Sequence, residues 1–515
     1  MSQSENLLGR EFGAIAELVG LHAAEAPDRI ALIDPAGTLS YGELDALMDR
    51  IAASLQRDGL EPGGAIAICA ASSARYAALF LGALRAGVVV APLAPGSSPE
   101  SLARMMADAD ARLLFLDAAA AEVIGPSAPT GIPRIALDAS PAGIDFERWL
   151  LPAGASPAPV APEPAWPLNI IYSSGTTGEP KGIVQGHGMR WAHVRRGARY
   201  GYGAGKLTLL STPLYSNTTL VVFFPSIAYG GSVVLMPKFD AGGYLALAQQ
   251  HGITHTMLVP VQYRRLMAHP DFDRFDLSRF EYKFSTSAPF DAALKADVLA
   301  RWPGGLVEFY GMTEGGGTCI LEAHLHPAKL HTVGRPAEGS DIRLIDDDGQ
   351  EVARGEAGEV VGNSAGMMVG YHRLPEKTRE AEWFDASGKR FIRTGDVGRF
   401  DEDGFLVLLD RKKDLVISGG FNIYPSDLEA VLRSHPAVAD TSVIGMPSRE
   451  WGETPVAFVV RTVGQDAAAD ELLGWTNSRL GKTQRLSALH FIDELPRSPI
   501  GKVLKRELRN RLERG

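Results

Sequence analysis

Residues 168–182 read Leu168-Asn169-Ile170-Ile171-Tyr172-Ser173-Ser174-Gly175-Thr176-Thr177-Gly178-Glu179-Pro180-Lys181-Gly182. The first five make a short, mostly apolar run of strand length. They lead straight into a loop of serine, threonine and glycine that closes on a lysine. Such a loop has what a polyphosphate needs: glycines that let backbone N–H groups come close, hydroxyls that donate further hydrogen bonds, and the point charge of Lys181. It is not a Walker A loop, because that motif ends in Gly-Lys-Ser/Thr and here Glu179-Pro180 precedes the lysine. A flexible surface loop of the same composition is the competing reading of these residues alone.

Outward from this stretch the chain alternates helical and strand patterns. Leu44, Leu47, Ile51 and Leu55 keep one helical face apolar, and Ser40 with Glu43 forms a candidate capping box. Ala65–Ile68 reads as a buried strand, Tyr76–Leu84 as a helix and Val88–Val90 as the next strand. This is the signature of βαβ units on a largely parallel sheet. Residues 152–167 interrupt it with six prolines, a surface linker or loop. Alternation resumes through Leu207–Leu210, Ser232–Met236, a helix near Tyr244–Gln250 and Thr256–Val259. From about residue 334 the texture turns to short β-like segments between Gly and Asp turns, among them Asp401-Glu402-Asp403-Gly404. The last hundred residues alternate again, ending in an amphipathic helix with Val503, Leu504, Leu508 and Leu512 on one side.

Composition narrows the classes. At 515 residues the chain exceeds one ordinary core, so at least two domains are expected. With 45% hydrophobic and 22% charged residues it is a globular protein, and a net charge of −10 argues against nucleic acid as partner. Cys69 and Cys319 stand far apart, so neither a disulfide framework nor a zinc site is expected. The N-terminus lacks the pattern of a signal peptide and no window is apolar for long enough to span a membrane, which predicts a cytoplasmic location.

The loop Tyr172–Gly182 resembles the signature of the adenylate-forming superfamily, which includes acyl-CoA synthetases, peptide-synthetase adenylation domains and firefly-type luciferases. Four further matches follow in family order. They are Phe309-Tyr310-Gly311-Met312-Thr313-Glu314, Arg393-Thr394-Gly395-Asp396, Asp410–Asp414 with Ser418–Ile423, and Leu495–Lys502. The resemblance covers nearly the whole chain, and the motif spelling looks most like acyl- and aryl-CoA ligases. It implies an α/β protein: a large N-terminal domain, residues 1–412, of βαβ-layered sheets with a β-rich subdomain, and a small, mobile α+β C-terminal domain, residues 413–515, that carries the catalytic lysine.

The resemblance also implies residue roles. Ser173, Ser174, Gly175, Thr176, Thr177, Gly178 and Lys181 would hold phosphates, with Lys181 also catalytic. Ser287, Ala288, Pro289, Glu308, Phe309, Tyr310, Gly311 and Met312 would line the nucleotide site, Tyr310 lying against adenine. Thr313 and Glu314 would sit beside the α-phosphate, with Glu314 as ligand to Mg²⁺, which favours carboxylate plus phosphate oxygens. Asp396 would accept from the ribose hydroxyls, supported by Arg411. Lys502 would bridge the substrate carboxylate and α-phosphate, a fixed cation where charge builds during loss of pyrophosphate. Lys413 would be a hinge about which the small domain turns, presenting either Lys502 or the Gly419-Gly420 loop.

By the same resemblance the chain is an AMP-forming carboxylate–CoA ligase using ATP, Mg²⁺ and coenzyme A on a small-molecule carboxylic acid. Free coenzyme A is expected as acceptor because no carrier domain follows Lys502; loading of a carrier protein, or a fatty acid as substrate, are the alternatives. Homodimers are common among such enzymes. Relatives with a Pro-Leu-Phe-His segment use its histidine in the acid pocket, whereas this chain has Pro213-Leu214-Tyr215-Ser216. With Val221, Ser285, Gly315, Gly316 and Gly317, Tyr215 and Ser216 are the candidate pocket lining. Glycines leave volume and hydroxyls can bond a hydroxylated ring, so an aromatic or alicyclic acid such as a hydroxycinnamate is expected. His187, which matches a family histidine near the loop, is expected to be structural or peripheral to the pocket.

Overall fold

A computed structural model describes residues 2–125, 131–174, 180–418, 421–449, 451–481, 484–498 and 501–513. The chain divides into two compact units. The first comprises 1–330, 336–341 and 362–392, the second 331–335, 342–361 and 393–515.

The first unit is built on two sheets. In one, the strands run in the spatial order Cys319–Glu322, Gly305–Tyr310, Tyr282–Ser285, His255–Leu258, Leu207–Leu210, Ser232–Leu235, Ile30–Asp34 and Gly37–Ser40. Every pairing from Gly305–Tyr310 to Ile30–Asp34 is parallel. The other has the order Gly370–Tyr371, Pro180–Gly186, Pro167–Ser174, Val89–Pro92, Ala65–Cys69, Ala111–Leu116, Arg134–Ala136 and Ile144–Asp145. Ala65–Cys69 is buried at every residue, as expected of a strand covered on both faces. The helices Tyr41–Arg57 and Ala74–Arg85 pack together beside these sheets, and the Ser40–Glu43 capping box is present in both directions. Residues 151–166 have no regular structure, and Pro167 opens the strand Pro167–Ser174. That strand pairs antiparallel with Pro180–Gly186, and these two strands flank the loop read first in the sequence.

The second unit carries the strands Asp341–Ile345, Gly358–Asn363, Arg390–Phe400 and Leu406–Arg411, the last two joined by the Asp401–Gly404 turn. Its last third is a sheet in the order Phe421–Ile423, Val416–Ser418, Gly452–Arg461 and Val438–Ser448, with Ala488–Phe491 added in parallel to Gly452–Arg461. Leu428, Leu432, Val443, Val459 and Leu472 close a small core between this sheet and the helices Pro425–Arg433 and Ala469–Asn477. The fold class is α/β as expected. One element starts later than its pattern: the terminal helix runs Lys505–Glu513, because Val503 is drawn into a bridge with Arg497 and the Leu504 N–H donates to the Pro496 carbonyl. Leu508 is its fully buried residue. Both cysteines are buried and free. Among the described residues no helix is long and apolar enough to cross a membrane.

Candidate active site

The strand Gly305–Tyr310 ends where the Tyr310–Glu314 motif begins, so the sheet delivers Thr313 and Glu314 at the carboxyl end of a parallel strand, where open α/β sheets bind ligands. The Glu314 carboxylate accepts from the Tyr371 hydroxyl at 2.9 Å. The Lys181 ammonium lies over the Tyr371 ring, 5.1 Å from its centroid. Burial, and then the Glu314 charge, push the Tyr371 phenol well above its ordinary range, so it stays a donor. Backbone hydrogen bonds fix both partners: Met368 N–H donates to the Glu314 carbonyl, and Gly370–Tyr371 pairs with Val184 and Ile183. Tyr371 thus ties together two residues singled out from the sequence, and no motif had marked it.

Beneath Thr313 lies a buried polar network. The Gln185 amide donates to the Thr313 carbonyl at 2.7 Å, and Asn169 donates to Gln185 at 2.9 Å. Arg190, with no surface exposed, donates to Asn169 at 3.1 Å, to Asn217 at 2.8 Å and to Gln185. Its planar fork satisfies three amide oxygens at once, which a lysine could not do. The network links the paired strands Pro167–Ser174 and Pro180–Gly186, the start of the helix Asn217–Ala228 and the backbone of the Thr313-Glu314 segment.

Further members of the site take several placements. Ser173 pairs with Lys181; Ser174, the last residue of the strand, pairs with Pro180, and its side chain lies outside the described residues, as do Gly175, Thr176, Thr177, Gly178, Gly419 and Gly420. Glu308 is buried in an ion pair with Lys295 at 2.5 Å. Phe309 stacks on Phe284, 5.5 Å between centroids. Ser287 has φ +81, a left-handed backbone unusual outside glycine, and its hydroxyl meets Thr218 Oγ1 at 2.6 Å. Strain of this kind collects at ligand sites. Ser285 is fully buried and its hydroxyl has no hydrogen-bond partner among the described residues. Ser216, where relatives carry a histidine, caps the helix Asn217–Ala228 by accepting from Thr218 N–H at 3.3 Å, and is buried. Tyr215 and Val221 are half-buried on either side of it. Gly315, at φ +76, packs so tightly on the Gly366 carbonyl that a Cβ would lie 1.7 Å from it. His187 is buried at the start of the helix His187–Gly197, and burial takes it down to about 4, so it is neutral.

The second unit holds the remaining candidates together. Asp396 and Arg411 face each other across the hairpin, Oδ1 to Nε 3.1 Å. Gly395 has φ +70, and the Asp396 N–H is bonded to Thr394 Oγ1. Arg393 is committed to Glu359, with contacts of 3.2 and 2.7 Å. Lys502 is exposed as a residue, yet loss of water around its ammonium, followed by the Arg411 and Lys413 cations, lowers it to about 8, against the smaller pull of Asp396 and Asp414. Lys413 is lowered as well, first by loss of water around its ammonium. Asp396, Arg411, Lys413 and Lys502 therefore form one electrostatic group.

Residues 21–372 match the model of the AMP-binding enzyme family, and residues 427–502 match its C-terminal domain. The chain belongs to that family. It is an adenylate-forming enzyme of the acid–CoA ligase group. This AMP-binding enzyme is 33% identical over 500 residues to the feruloyl-CoA synthase of an Amycolatopsis species, covering 95% of this chain and 97% of that protein. It is 32% identical over 509 residues to the fatty acid–[acyl-carrier-protein] ligase ScoC of Streptomyces coeruleorubidus, covering 96% of each. Its fold matches the ATP-bound crystal structure of MatB from Rhodopseudomonas palustris with a TM-score of 0.85 at 29% identity, covering 97% of this chain and 99% of that one.

Proposed function

We propose that this AMP-binding enzyme converts a carboxylic acid to its coenzyme A thioester through an acyl-adenylate. A carboxylate oxygen attacks the α-phosphorus of ATP, the bond to the bridging oxygen breaks and pyrophosphate leaves. The thiol of coenzyme A then attacks the acyl carbon, AMP departs with the bonding electrons, and the thiol proton passes to solvent.

In this reading Lys181 and Thr313 bind phosphate oxygens, Asp396 and Arg411 hold the ribose, and Lys502 stabilises the charge that builds on the reacting oxygens. Glu314 suits Mg²⁺, because Tyr371 occupies only one of its two oxygens and this ion takes one or two protein carboxylates besides substrate phosphates. Bound there, Mg²⁺ would neutralise phosphate charge. The observation that carries the reading is Lys181 and Glu314 held on either side of Tyr371, a cation and a carboxylate fixed for a nucleotide's phosphates and its metal. Lys413 serves as the hinge of a lid, residues 413–515, which the two half-reactions require in two arrangements.

The acid is aromatic or alicyclic, of the hydroxycinnamate type. The feruloyl-CoA synthase relative supports this, as does Ser285 with its unpaired hydroxyl. A second reading, transfer to a carrier protein, is favoured by the likeness to ScoC. Purified enzyme with ATP, Mg²⁺ and a panel of acids should release pyrophosphate and consume the thiol of free coenzyme A. Thiol consumption only when an acyl carrier protein is supplied would move the conclusion to the second reading. Faster turnover of straight-chain acids than of aromatic ones would overturn the preference.

A further inference from the structure

Gln185 is a fully buried amide with every hydrogen-bonding position in use. It stands on the strand Pro180–Gly186 an even number of residues after Lys181, hence on the same face, and opposite Asn169 on the neighbouring strand. Its Oε1 accepts from Asn169 Nδ2 at 2.9 Å and from Arg190. Its Nε2 donates to the Thr313 carbonyl at 2.7 Å and to Asn217 Oδ1 at 3.3 Å. A carboxamide has two donors and two lone pairs, so none is left over. Arg190 decides which way round the amide lies. A guanidinium only donates, so every amide that meets it must offer oxygen, and the Gln185 Nε2 is thereby turned towards Thr313. Among the described residues no carboxylate pairs with Arg190; the oxygens it meets belong to Asn169, Gln185 and Asn217.

The bond from Gln185 falls on the middle of a turn. Gly315 N–H donates to the Met312 carbonyl at 3.0 Å and closes residues 312–315, so the central peptide of the turn joins Thr313 to Glu314. Turn types I and II differ by rotation of that peptide, which re-aims the residues on both sides of it. The Glu314 carbonyl is held by Met368 N–H at 2.8 Å, and the Thr313 carbonyl by Gln185. The second of these bonds sets the direction of the central peptide, from which Thr313 and Glu314 project.

We infer that Gln185 is a positioning residue for adenylation: its donor to the Thr313 carbonyl holds the turn, and with it Thr313 and the Glu314 carboxylate, in one orientation, while Arg190 fixes the orientation of the amide itself. The inference rests on the reading that sets Thr313 and Glu314 beside the α-phosphate. It adds a residue four places beyond Lys181 (185 − 181) that acts on the reacting groups through backbone alone. An acceptor left without its donor in a buried network is costly, so the turn would relax if Gln185 ceased to donate.

The test separates the donor from the packing. Gln185→Glu keeps the shape and both acceptor positions and gives Arg190 an anion, so it should melt no lower than the parent. A carboxylate beside a guanidinium stays ionised and cannot donate to Thr313. Gln185→Met fills the space but leaves both Arg190 and the Thr313 carbonyl short of a partner, and should melt lower. Assayed well below their melting temperatures with saturating acid, both variants should lose kcat for pyrophosphate release about tenfold or more. KM for ATP should change by no more than about threefold, because the interaction is used in the transition state and Lys181 is held elsewhere, by Tyr371. Asn217→Asp adds the same charge to the network with the Gln185 donor in place, and its loss of kcat should be smaller by about fivefold or more. If Gln185→Glu does not fold, the split between kcat and KM in Gln185→Met decides. Activity that follows melting temperature, with Gln185→Glu as fast as the parent, overturns the inference. Equal losses in Gln185→Glu and Asn217→Asp also overturn it, since charge and not the donor would then be the cause. In both cases the parent still activates acids and the ligase reading stands. A parent that releases no pyrophosphate with any carboxylic acid overturns that reading and the inference with it.

Discussion

Tyr371 donates its hydroxyl to Glu314 at 2.9 Å while its ring lies beneath the Lys181 ammonium. The two charged side chains are 133 positions apart in sequence (314 − 181), and one aromatic residue orients both. Tyr371→Phe keeps the ring and removes only the donor. A hydrogen bond to a half-buried carboxylate contributes about 1 kcal/mol, so the Mg²⁺ concentration for half-maximal pyrophosphate release should rise about fivefold. Tyr371→Leu, which also removes the ring under Lys181, should raise KM for ATP further. Phe and Leu variants with the same ATP dependence as the parent would refute the coupling.

Lys502 has a pH signature. Loss of water around its ammonium and the cations of Arg411 and Lys413 lower it to about 8, so it is charged below that pH and loses its proton above it. The charged form is the one that can stabilise the reacting oxygens. Adenylation kcat/KM should therefore be level near pH 7 and fall as pH rises through about 8. Lys502→Arg should remove that alkaline limb in whatever activity remains. Lys502→Ala should slow pyrophosphate release by about 10²–10³-fold, while thioester formation from supplied acyl-adenylate is largely spared. Pyrophosphate release unchanged in Lys502→Ala would refute the assignment.

Lys295 and Glu308 form a pair whose side chains are 2% and 5% exposed. Lys295→Met leaves a buried carboxyl without its cation, and burial already raises Glu308. The single substitution should cost about 3–5 kcal/mol in urea unfolding. The double variant Lys295→Met/Glu308→Leu should recover most of the loss, because an apolar pair of similar volume needs no counter-charge. A double variant as weak as the single one would show that Glu308 is needed for more than pairing.

Gly315→Ala tests the turn after Glu314. An alanine there must adopt φ near +76 and put its Cβ 1.7 Å from the Gly366 carbonyl oxygen. Backbone strain and overlap together should cost about 3 kcal/mol or more. Thermal melting should move down by several degrees, with loss of pyrophosphate release at temperatures where the parent is active. Gly37→Ala, where φ is also positive but a Cβ meets nothing within 4 Å, is the control for backbone strain alone.

The α/β class, the alternation before residue 334, the Ser40 cap and the Asp401–Gly404 turn were legible in the sequence because each rests on spacing within a few residues. The five ordered motifs were legible for the same reason, as short runs whose chemistry needs particular neighbours. Tertiary structure alone decided what distant residues do to one another. Nothing in the spacing of Arg190 distinguishes it from Arg195, yet one is fully buried among amide oxygens and the other is exposed. Glu308 stood beside Phe309-Tyr310 as a nucleotide candidate, and only the approach of Lys295 shows where its charge is spent. Tyr371 lies in no motif and meets Lys181 because its strand pairs with Pro180–Gly186. The local rules operate along the chain, over a turn of helix or a pair of strand residues. Burial, pairing and pKa depend on which segments meet, and that is fixed by the packing of whole sheets.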